Sequence, residues 1–397
     1  MLYRTMPKNG DKLSALGFGC MRLPMKGDAI DEERAISQIR YAIDNGVNYL
    51  DTAWPYHGGQ SEPIVGKAIK DGYREKVKIA TKLPTWLVES REDMDKFLNA
   101  QLEKLGIEYI DYYLVHSLNK RAWERVEALG IIDFLDSAKA DVRIKNAGFS
   151  YHGLGHDFAP IVDAYPWEFC QIQYNLMDLD YQAGEKGLKY AAEKGLGVII
   201  MEPLRGGYLG GQSPEIVQSI WNEADVKRPQ VEWALRFIWN RPEATVIISG
   251  MNEEEHIKEN IRIASDAEAC SLTDSELAII KKAGEKYQEI MKVNCTGCAY
   301  CMPCPADVNI PTCFDSLNKI VFENEQRGMF LYIVGNSLMG AGKTGFASQC
   351  VECGECLDKC PQNIPIPDVL KEVSATFETP DFPEMREKIT SMMSKKD

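Results

Sequence analysis

The amino-acid sequence predicts an α/β protein in which a (β/α)8 TIM barrel is followed by a small α-rich domain. Two observations predict this architecture. Residues 1–285 alternate short apolar runs with segments of 3.6-residue periodicity, which are typical of buried strands and amphipathic helices. Beyond residue 285 the alternation stops, and eight of the 12 cysteines fall in two short tracts. We expect a barrel at 1–285, a second domain at 286–375 and a C-terminal tail at 376–397.

Eight strand–helix pairs in roughly 250 residues are typical of the (β/α)8 barrel. The predicted strands are Ala15–Gly19, Tyr49–Ala53, Val77–Lys82, Tyr109–His116, Asn146–Ser150, Phe169–Tyr174, Gly197–Glu202 and Thr245–Gly250. The predicted helices lie near Asp31–Asn45, Ser61–Lys70, Arg91–Leu105, Arg121–Ala140, Leu154–Ala164, Gln182–Lys194, Gln230–Trp239 and Glu253–Ala264. An open doubly wound sheet is the alternative, and it should carry a G-x-G-x-x-G turn after its first strand. Because Leu16–Cys20 lacks the third glycine, the barrel is favoured.

Composition limits the classes of function. The chain has 397 residues, enough for a large barrel and an appended domain, and 45% of them are hydrophobic. The 59 acidic residues exceed the 45 basic ones, and the net charge of −14 argues against nucleic acids and anionic membranes as partners. Residues 1–14 lack the apolar core of a signal peptide, and no apolar run is long enough to span a membrane. We therefore expect a cytoplasmic protein, in which clustered cysteines bind metal rather than form disulfides.

The two cysteine tracts have the spacing of iron–sulfur ligands. The tract Cys350–Pro361 matches the bacterial ferredoxin run C-x2-C-x2-C-x3-C-P, and the tract Cys295–Pro305 is one residue shorter before its fourth cysteine. In two-cluster ferredoxins the fourth cysteine of each run ligates the other cluster. The spacing therefore predicts two [4Fe–4S] clusters in a ferredoxin-like iron–sulfur domain. Their predicted ligands are Cys295, Cys298, Cys301 and Cys360 for one cluster, and Cys304, Cys350, Cys353 and Cys356 for the other.

Zinc bound by four thiolates per site is the alternative for these tracts. It is disfavoured because zinc sites commonly pair two C-x2-C units rather than use triplets that end in Cys-Pro. The remaining cysteines are expected to be ordinary thiols, although Cys313 is close enough in sequence to be mistaken for a ligand. These residues are Cys20, Cys170, Cys270 and Cys313.

Three successive predicted strands end in polar side chains. The strand Tyr49–Ala53 carries Asp51 and is followed by Tyr56, the next strand ends in Lys82, and the third ends in His116. In a (β/α)8 barrel, the carboxyl ends of the strands form the active site. Each side chain alone would be explained as a cap, a loop aromatic, a surface lysine or a core histidine. Together, at successive strand ends, the four predict one catalytic site.

Seven blocks between residues 1 and 265 resemble those of one enzyme family, the aldo/keto reductases, and stand in its order. The blocks are LGFGCMRLP, LDTAWPYHGGQSEPIVGKAI, VKIATK, DYYLVH, GFSYHG, QIQYNL and SGMNEEEHIKEN. The whole chain resembles the iron–sulfur subgroup of this family. The resemblance implies an oxidoreductase with a catalytic tetrad of Asp51, Tyr56, Lys82 and His116, and a nicotinamide cofactor across the barrel mouth.

The resemblance also implies which residues bind the cofactor. Ser150 and Gln171 would hold the carboxamide, and the Pro203–Gly207 loop would hold the pyrophosphate. Met201 stands where the family commonly has an aromatic residue that stacks on the nicotinamide. The complete implied set is Gly19, Met21, Arg22, Asp51, Ser150, Gln171, Met201, Pro203, Leu204, Gly206, Ser249, Gly250, Asn252, His256 and Asn260.

The residues after the last strand favour NADH over NADPH. NADPH-dependent members of the family place basic residues there, whereas this chain has Gly250 and His256. Three consecutive carboxylates, Glu253–Glu255, stand beside them and would repel a 2′-phosphate.

The tetrad residues suit the reduction of a small carbonyl substrate to an alcohol. Hydride addition to the carbonyl carbon creates an alkoxide, and Tyr56 is the expected proton donor. A free phenol has a pKa of about 10, and a neighbouring ammonium lowers it, which is the role expected of Lys82. Asp51 would fix Lys82, and His116 would donate a hydrogen bond to the carbonyl oxygen.

Two other functions stay open at this point. The chain is alternatively an electron-transfer protein whose clusters exchange single electrons with a protein partner, or a protein whose metal is purely structural. A nicotinamide passes a hydride whereas a cluster passes one electron at a time. Coupling them normally requires a flavin or similar intermediary, and no flavin motif is visible.

Overall fold

The chain divides into two compact units in the computed structural model, which describes residues 1–27, 29–337 and 343–393. The first unit comprises Met1–Leu204 and Val231–Leu277, and the second comprises Arg205–Gln230 and Ala278–Asp397. The segment Arg205–Gln230, which follows the seventh barrel strand along the chain, therefore belongs by its packing to the cysteine-containing unit. Sequence periodicity gives no sign of this assignment, since it depends on contacts with residues distant along the chain.

The first unit is built on eight parallel strands that close into a barrel, as the sequence predicts. All eight predicted strands are present, with ends that differ by at most two residues from the expected positions. Neighbours along the chain are neighbours in the barrel, and the last strand pairs with the first. The strands are β1 Leu16–Gly19, β2 Tyr49–Asp51, β3 Lys78–Leu83, β4 Ile110–Leu118, β5 Ile144–Tyr151, β6 Phe169–Gln173, β7 Gly197–Met201 and β8 Ala244–Ser249.

The helices number fifteen among the described residues. They are α1 Glu32–Asp44, α2 Ser61–Ala68, α3 Arg91–Leu105, α4 Lys120–Ala128, α5 Ile131–Ala140, α6 Gly155–Asp163, α7 Gly184–Glu193, α8 Glu215–Trp221, α9 Gln230–Trp239, α10 Glu254–Ala264, α11 Asp274–Ile290, α12 Ile310–Phe322, α13 Glu325–Ser337, α14 Ile366–Phe377 and α15 Phe382–Met393. The expected single helix Arg121–Ala140 is wrong, because Gly130 adopts a φ of 83° and separates α4 from α5.

Aromatic rings fill the inside of the barrel. Tyr49, Tyr112 and Phe169 are fully buried and contact one another, with ring centroids 5.5 Å apart for the first pair and 5.1 Å for the second. Gly148 makes room for them, since a Cβ at that position would lie 2.5 Å from the Phe169 ring. Met6 and Leu13, from the N-terminal segment, belong to the same buried cluster. The barrel is therefore a packed core, and its functional side chains are those at the ends of the strands.

The second unit has its own apolar core. Cys313, Phe314, Tyr332, Val373 and Phe377 are among its fully buried members. Two helices lie between the cysteine tracts. The first, α12, ends at Phe322, and Asn324 caps the start of α13 by accepting a hydrogen bond of 2.8 Å from the Arg327 N–H. The segment expected to be a polar tail carries α15, and Phe382 at its start is buried in this core.

Among the described residues, no helix combines the length and the apolar character that crossing a membrane requires.

Candidate active site and cysteine centre

The ammonium of Lys82 is the centre of the polar site at the carboxyl ends of β2, β3 and β4. Its Nζ lies 2.7 Å from Oδ1 of Asp51 and donates to the carbonyl oxygen of Thr52 at 2.8 Å. It also lies 3.5 Å from the hydroxyl of Tyr56. The His116 ring faces Tyr56 edge-on, with ring centroids 6.3 Å apart. The structure therefore brings together all four side chains predicted to form the tetrad.

Burial controls the ionisation of these groups. Lys82 and Asp51 are almost completely buried, so their charges interact without competition from bulk water. Burial raises the pKa of Asp51, and the Lys82 ammonium opposes this by favouring the carboxylate. Burial also holds the pKa of His116 well below its usual range, with Lys82 and His152 acting in the same direction. The His116 imidazole is therefore neutral near pH 7 and able to donate a hydrogen bond.

A strained turn presents Tyr56. The hydroxyl-bearing residue begins a short 3₁₀ turn, Tyr56–Gly59, in which His57 adopts a φ of 51°. The imidazole Nε2 of His57 accepts a hydrogen bond of 3.0 Å from the backbone N–H of Leu23. The turn is thereby attached to the segment that contains Met21 and Arg22, two of the predicted cofactor contacts. Sequence reasoning missed this role of His57, for which its position directly after Tyr56 was the only signal.

The residues expected near the nicotinamide lie on three adjacent strands. Ser150 on β5 and Gln171 on β6 are partners in register, and Met201 ends β7. Ser150 Oγ accepts a hydrogen bond of 2.7 Å from the Ser117 N–H, and Gln171 Nε2 lies 3.5 Å from the Met201 sulfur. Gln171 Oε1 is buried with no hydrogen-bond partner among the described residues. A carboxamide N–H would satisfy this oxygen, so the residues present fit a nicotinamide.

The residues expected near the adenosine gather around the ends of β8 and β1. Ser249 Oγ accepts a hydrogen bond of 2.8 Å from the Asn260 amide, and both residues are buried. Gly19 adjoins Ser249 closely, because a Cβ there would lie 3.3 Å from the Ser249 carbonyl oxygen. The same construction at Gly250 places a Cβ 3.6 Å from that of Arg22.

Two of the carboxylates after β8 form ion pairs with one arginine. Arg34 on α1 binds Glu253 at 2.6 Å and Glu254 at 2.7 Å, and Gln38 donates to both Glu254 and the Asn252 carbonyl oxygen. The sequence argument counted these carboxylates as repulsive to a phosphate, and the structure gives two of them a shared cationic partner. His256 is exposed on α10.

The predicted pyrophosphate residues divide between the two units. Pro203 and Leu204 follow β7 in the first unit, whereas Gly206 belongs to the second. Gly206 has a φ of 67°, and a Cβ there would lie 2.4 Å from the carbonyl oxygen of Thr296, within the first cysteine tract. Only glycine fits this position without displacement of that backbone.

Several of the eight clustered cysteines lie close to one another in the second unit. Burial raises the pKa of Cys301, and the neighbouring thiols of Cys298, Cys295 and Cys360 raise it further. Burial likewise raises the pKa of Cys356, which is also influenced by Cys350, Cys304 and Cys353. Cys304, Cys350, Cys353 and Cys356 line one cavity together with Cys301. Cys304 of the first tract therefore lies near Cys356 of the second, and Cys360 of the second tract lies near Cys301 of the first.

The clustered thiols do not converge on a single point where one metal ion would be bound. Among the described residues, no three cysteine, histidine or acidic side chains are placed to hold a single metal ion. In a [4Fe–4S] cluster each thiolate binds a different iron atom, so the four sulfurs surround a cube instead of a point. Cys313, the thiol most easily mistaken for a ligand, is buried near Asn336 and the Gly345 carbonyl oxygen.

Asn318 holds the start of the first cysteine tract. Its Oδ1 accepts hydrogen bonds from the N–H groups of Lys292 and Val293, at 3.1 and 2.9 Å. Its Nδ2 donates to the Val293 carbonyl oxygen at 2.8 Å and to the Tyr208 hydroxyl at 3.2 Å. The Tyr208 hydroxyl in turn donates to Asp315 at 2.6 Å. Sequence reasoning missed Asn318, because nothing in its local pattern distinguishes it from other helix residues.

Comparisons with known proteins agree with this geometry. A model of the aldo/keto reductase family matches residues 15–285, and a model of a 4Fe-4S dicluster domain matches residues 294–364. The chain is 30% identical over 232 residues to a probable aldo-keto reductase of Glycine max, covering 55% of this chain and 63% of that protein. It is 26% identical over 318 residues to L-galactose dehydrogenase of Arabidopsis thaliana, covering 72% of this chain and 95% of that protein.

A solved structure extends the likeness to the fold. The holo form of an aldo-keto reductase from Bacillus halodurans superimposes with a TM-score of 0.61 and 25% identity, covering 71% of this chain and 96% of that one. The chain spans slightly less than two thirds of the Glycine max relative but nearly all of the other two proteins. The aldo/keto reductase model matches well over half of the residues of this chain. The chain therefore belongs to the aldo/keto reductase family of oxidoreductases, and it carries a 4Fe-4S dicluster domain after the barrel.

Proposed function

We propose that the protein reduces an aldehyde or ketone to the corresponding alcohol, with Tyr56 as the proton donor. One observation carries the proposal: the buried Lys82 ammonium lies next to both the Asp51 carboxylate and the Tyr56 hydroxyl. A bound nicotinamide dinucleotide would supply the hydride. The chain itself must then bind the carbonyl, neutralise the developing oxygen charge and deliver a proton.

Each tetrad side chain has a distinct task in this proposal. Tyr56 gives its proton to the forming alkoxide, and the adjacent ammonium of Lys82 makes the phenol a stronger acid. Asp51 holds Lys82 in place and balances its charge where no water can. The neutral His116 donates a hydrogen bond to the carbonyl oxygen and orients it, without adding a second positive charge to the site.

The proposed nucleotide contacts are those implied by the family resemblance. Ser150 and Gln171 would bind the carboxamide, and the unsatisfied Gln171 Oε1 supports this assignment. Gly19, Ser249, Gly250 and Asn260 would approach the adenosine end. We further propose NADH as the preferred reductant. Arg34 is already bound by Glu253 and Glu254, so it is not available to bind a 2′-phosphate.

We also propose that the second unit holds two [4Fe–4S] clusters, with the two cysteine groups described above as ligands. The matching dicluster family model and the grouping of the thiols support this. Bound clusters would exchange single electrons. The same thiols support a second candidate function, in which the protein passes electrons to a redox partner and carbonyl reduction is secondary.

Steady-state kinetics test the first function. The rate of NADH or NADPH oxidation is measured with a panel of aldehydes and ketones, for the wild type and for Tyr56→Phe. Loss of the general acid should lower kcat by roughly 10²- to 10⁴-fold. Equal rates in the two proteins would overturn the proposal. Anaerobic redox titration followed by electron paramagnetic resonance tests the second function, which fails if physiological donors do not reduce the clusters.

A further inference from the structure

A second imidazole, that of His152, lies at the mouth of the barrel beside the proposed tetrad. It directly follows β5, and its backbone N–H donates to the carbonyl oxygen of Leu118, the last residue of β4, at 2.8 Å. His116 lies two residues before Leu118 on that strand. The charge of Lys82 lowers the pKa of His152, and His152 in turn lowers that of His116. The three side chains are therefore near neighbours at the same end of the barrel.

The position of His152 is closely constrained. Gly153, the next residue, leaves no space for a side chain, because a Cβ there would lie 2.6 Å from the Tyr151 hydroxyl. The His152 ring lies beside Gln182, whose amide nitrogen lies 3.4 Å from the Gln173 side-chain oxygen. Gln173 is bound in turn by the buried Asp178 at 2.7 Å. Such a chain of buried polar side chains holds the imidazole in one orientation.

One nitrogen of this fixed ring is left for a ligand. Nδ1 of His152 is buried and has no hydrogen-bond partner among the described residues. Buried polar atoms are normally satisfied, so an exception near a reaction site indicates a partner that binds there. Burial lowers the pKa of His152 to about 4, and Lys82 contributes in the same direction. The ring is therefore neutral near pH 7, which suits a hydroxyl group better than a carboxylate or phosphate.

An aromatic surface adjoins the same region. The ring of Trp86 is 46% exposed, and its centroid lies 5.2 Å from that of His116. Small-molecule sites combine such aromatic surfaces with a few fixed polar groups. A short carbon chain would lie against Trp86 while its oxygens are bound by His116 and by a second polar group.

We propose that His152 is a specificity-determining residue that hydrogen-bonds a hydroxyl next to the reacting carbonyl, so that the preferred substrates are hydroxyaldehydes or hydroxyketones. The inference rests on the proposed carbonyl reduction and adds the substrate class to it. His116 binds the oxygen that is reduced, and His152 binds the oxygen that is not.

A matched pair of substrates tests this inference. The wild type should have a kcat/KM for 2-hydroxypropanal roughly 10- to 100-fold above that for propanal, which differs only in the hydroxyl. His152→Phe keeps a ring of similar size. In this variant the kcat/KM for 2-hydroxypropanal should fall to about that for propanal, and the kcat/KM for propanal should not change. The control is His156→Phe, since this imidazole is exposed on α6 and should leave the ratio unchanged. A wild type without preference, or a variant that retains it, overturns the inference.

Binding provides a readout that does not depend on turnover. Propane-1,2-diol and propan-1-ol are titrated by calorimetry into the holoprotein with and without NAD⁺. The diol should bind at least several-fold more tightly to the wild type, and equally weakly as propan-1-ol to His152→Phe. Selective binding without any carbonyl reduction would contradict the proposed function while supporting the role of His152. Reduction of propanal and 2-hydroxypropanal at equal rates, with equal binding of the two alcohols, would support the proposed carbonyl reduction and contradict the role of His152.

Discussion

The side-chain nitrogen of Lys82 lies 2.7 Å from Oδ1 of Asp51, and the two side chains are almost completely shielded from solvent. A buried ion pair of this kind is costly to form but more costly to break, because either partner alone would be a buried, uncompensated charge.

Removing only one partner of this pair should therefore destabilise the barrel more than removing both. We expect Lys82→Met to lower the free energy of unfolding by about 3–5 kcal/mol, since it strands the Asp51 carboxylate. The double variant Asp51→Asn/Lys82→Met should recover part of that loss. Denaturant unfolding of the wild type, both single variants and the double variant measures this coupling. Strictly additive effects of the two substitutions would contradict it.

Acidification should destabilise the protein between about pH 6.5 and pH 4. Unfolded histidine binds a proton below about pH 6.5, whereas folded His152, with its pKa lowered to about 4, does not until lower pH. The unfolded state therefore binds more protons in this window. As the pH is lowered from 7 to 5, the free energy of unfolding should decrease by about 2 kcal/mol from this residue alone. His116 contributes in the same direction.

Melting temperatures measured at pH 7 and pH 5 test this dependence. His152→Asn should show a smaller difference between the two pH values than the wild type. His156→Asn, a control at an exposed position, should behave as the wild type does. A pH dependence that is unchanged in His152→Asn would show that other groups cause it.

Each cysteine substitution should affect the cluster that the cysteine is proposed to ligate, even where that cluster is held mainly by the other tract. The fully loaded chain should contain about eight iron atoms and eight sulfides. Cys360→Ala should disturb the same cluster signal as Cys298→Ala, although Cys360 is only four residues from Cys356. Cys356→Ala should disturb the other signal, and the exposed Cys270→Ala should disturb neither.

Iron and sulfide analysis with electron paramagnetic resonance distinguishes the outcomes. If Cys360→Ala and Cys356→Ala gave the same spectrum, the exchange of fourth ligands between the tracts would be wrong.

Asn318 should be required for a stable cysteine tract. Asn318→Asp keeps the oxygen that accepts from Lys292 and Val293 but loses the amide that donates to the Val293 carbonyl oxygen and the Tyr208 hydroxyl. Each lost donor leaves a buried acceptor unsatisfied, at about 1–3 kcal/mol. We expect a lower melting temperature and a lower iron content per chain.

A matched substitution gives the control. Asn324→Asp makes the same chemical change where only the acceptor oxygen is used, at the start of α13, so it should be nearly neutral. Equal iron loss in both variants would show that Asn318 has no special role.

The preference for NADH should depend on the carboxylates that hold Arg34. In Glu253→Gln/Glu254→Gln the guanidinium loses its charged partners and becomes available to a 2′-phosphate. We expect the Kd for NADPH to fall roughly 10-fold relative to that for NADH, as for a charge-assisted contact of about 1.5 kcal/mol. Quenching of tryptophan fluorescence measures both constants. Glu255→Gln removes one exposed carboxylate and leaves the Arg34 ion pairs in place, so its effect should be smaller; an equal effect would contradict the assignment.

The sequence by itself determined the elements and the broad chemistry of this protein. Apolar periodicity is a local property, so it located all eight strands and the order Asp51, Tyr56, Lys82 and His116 along their ends. The cysteine spacing similarly predicted three ligands of each cluster from within one tract, and the exchange of the fourth cysteines followed from the ferredoxin pattern. Helix ends depend on single residues, as at Gly130 and Asn324, where the backbone conformation or a side-chain cap separates one helix from the next.

The tertiary structure alone decided which distant residues act together. The pairing of Arg34 with Glu254 joins positions 220 residues apart, and the bonds from Asn318 to Tyr208 and Val293 join α12 to segments far away along the chain. The role of His152 depends on the parallel pairing of β4 with β5, which brings its strand end beside that of His116. No local sequence pattern predicts such contacts, because they arise when whole helices and strands pack against one another.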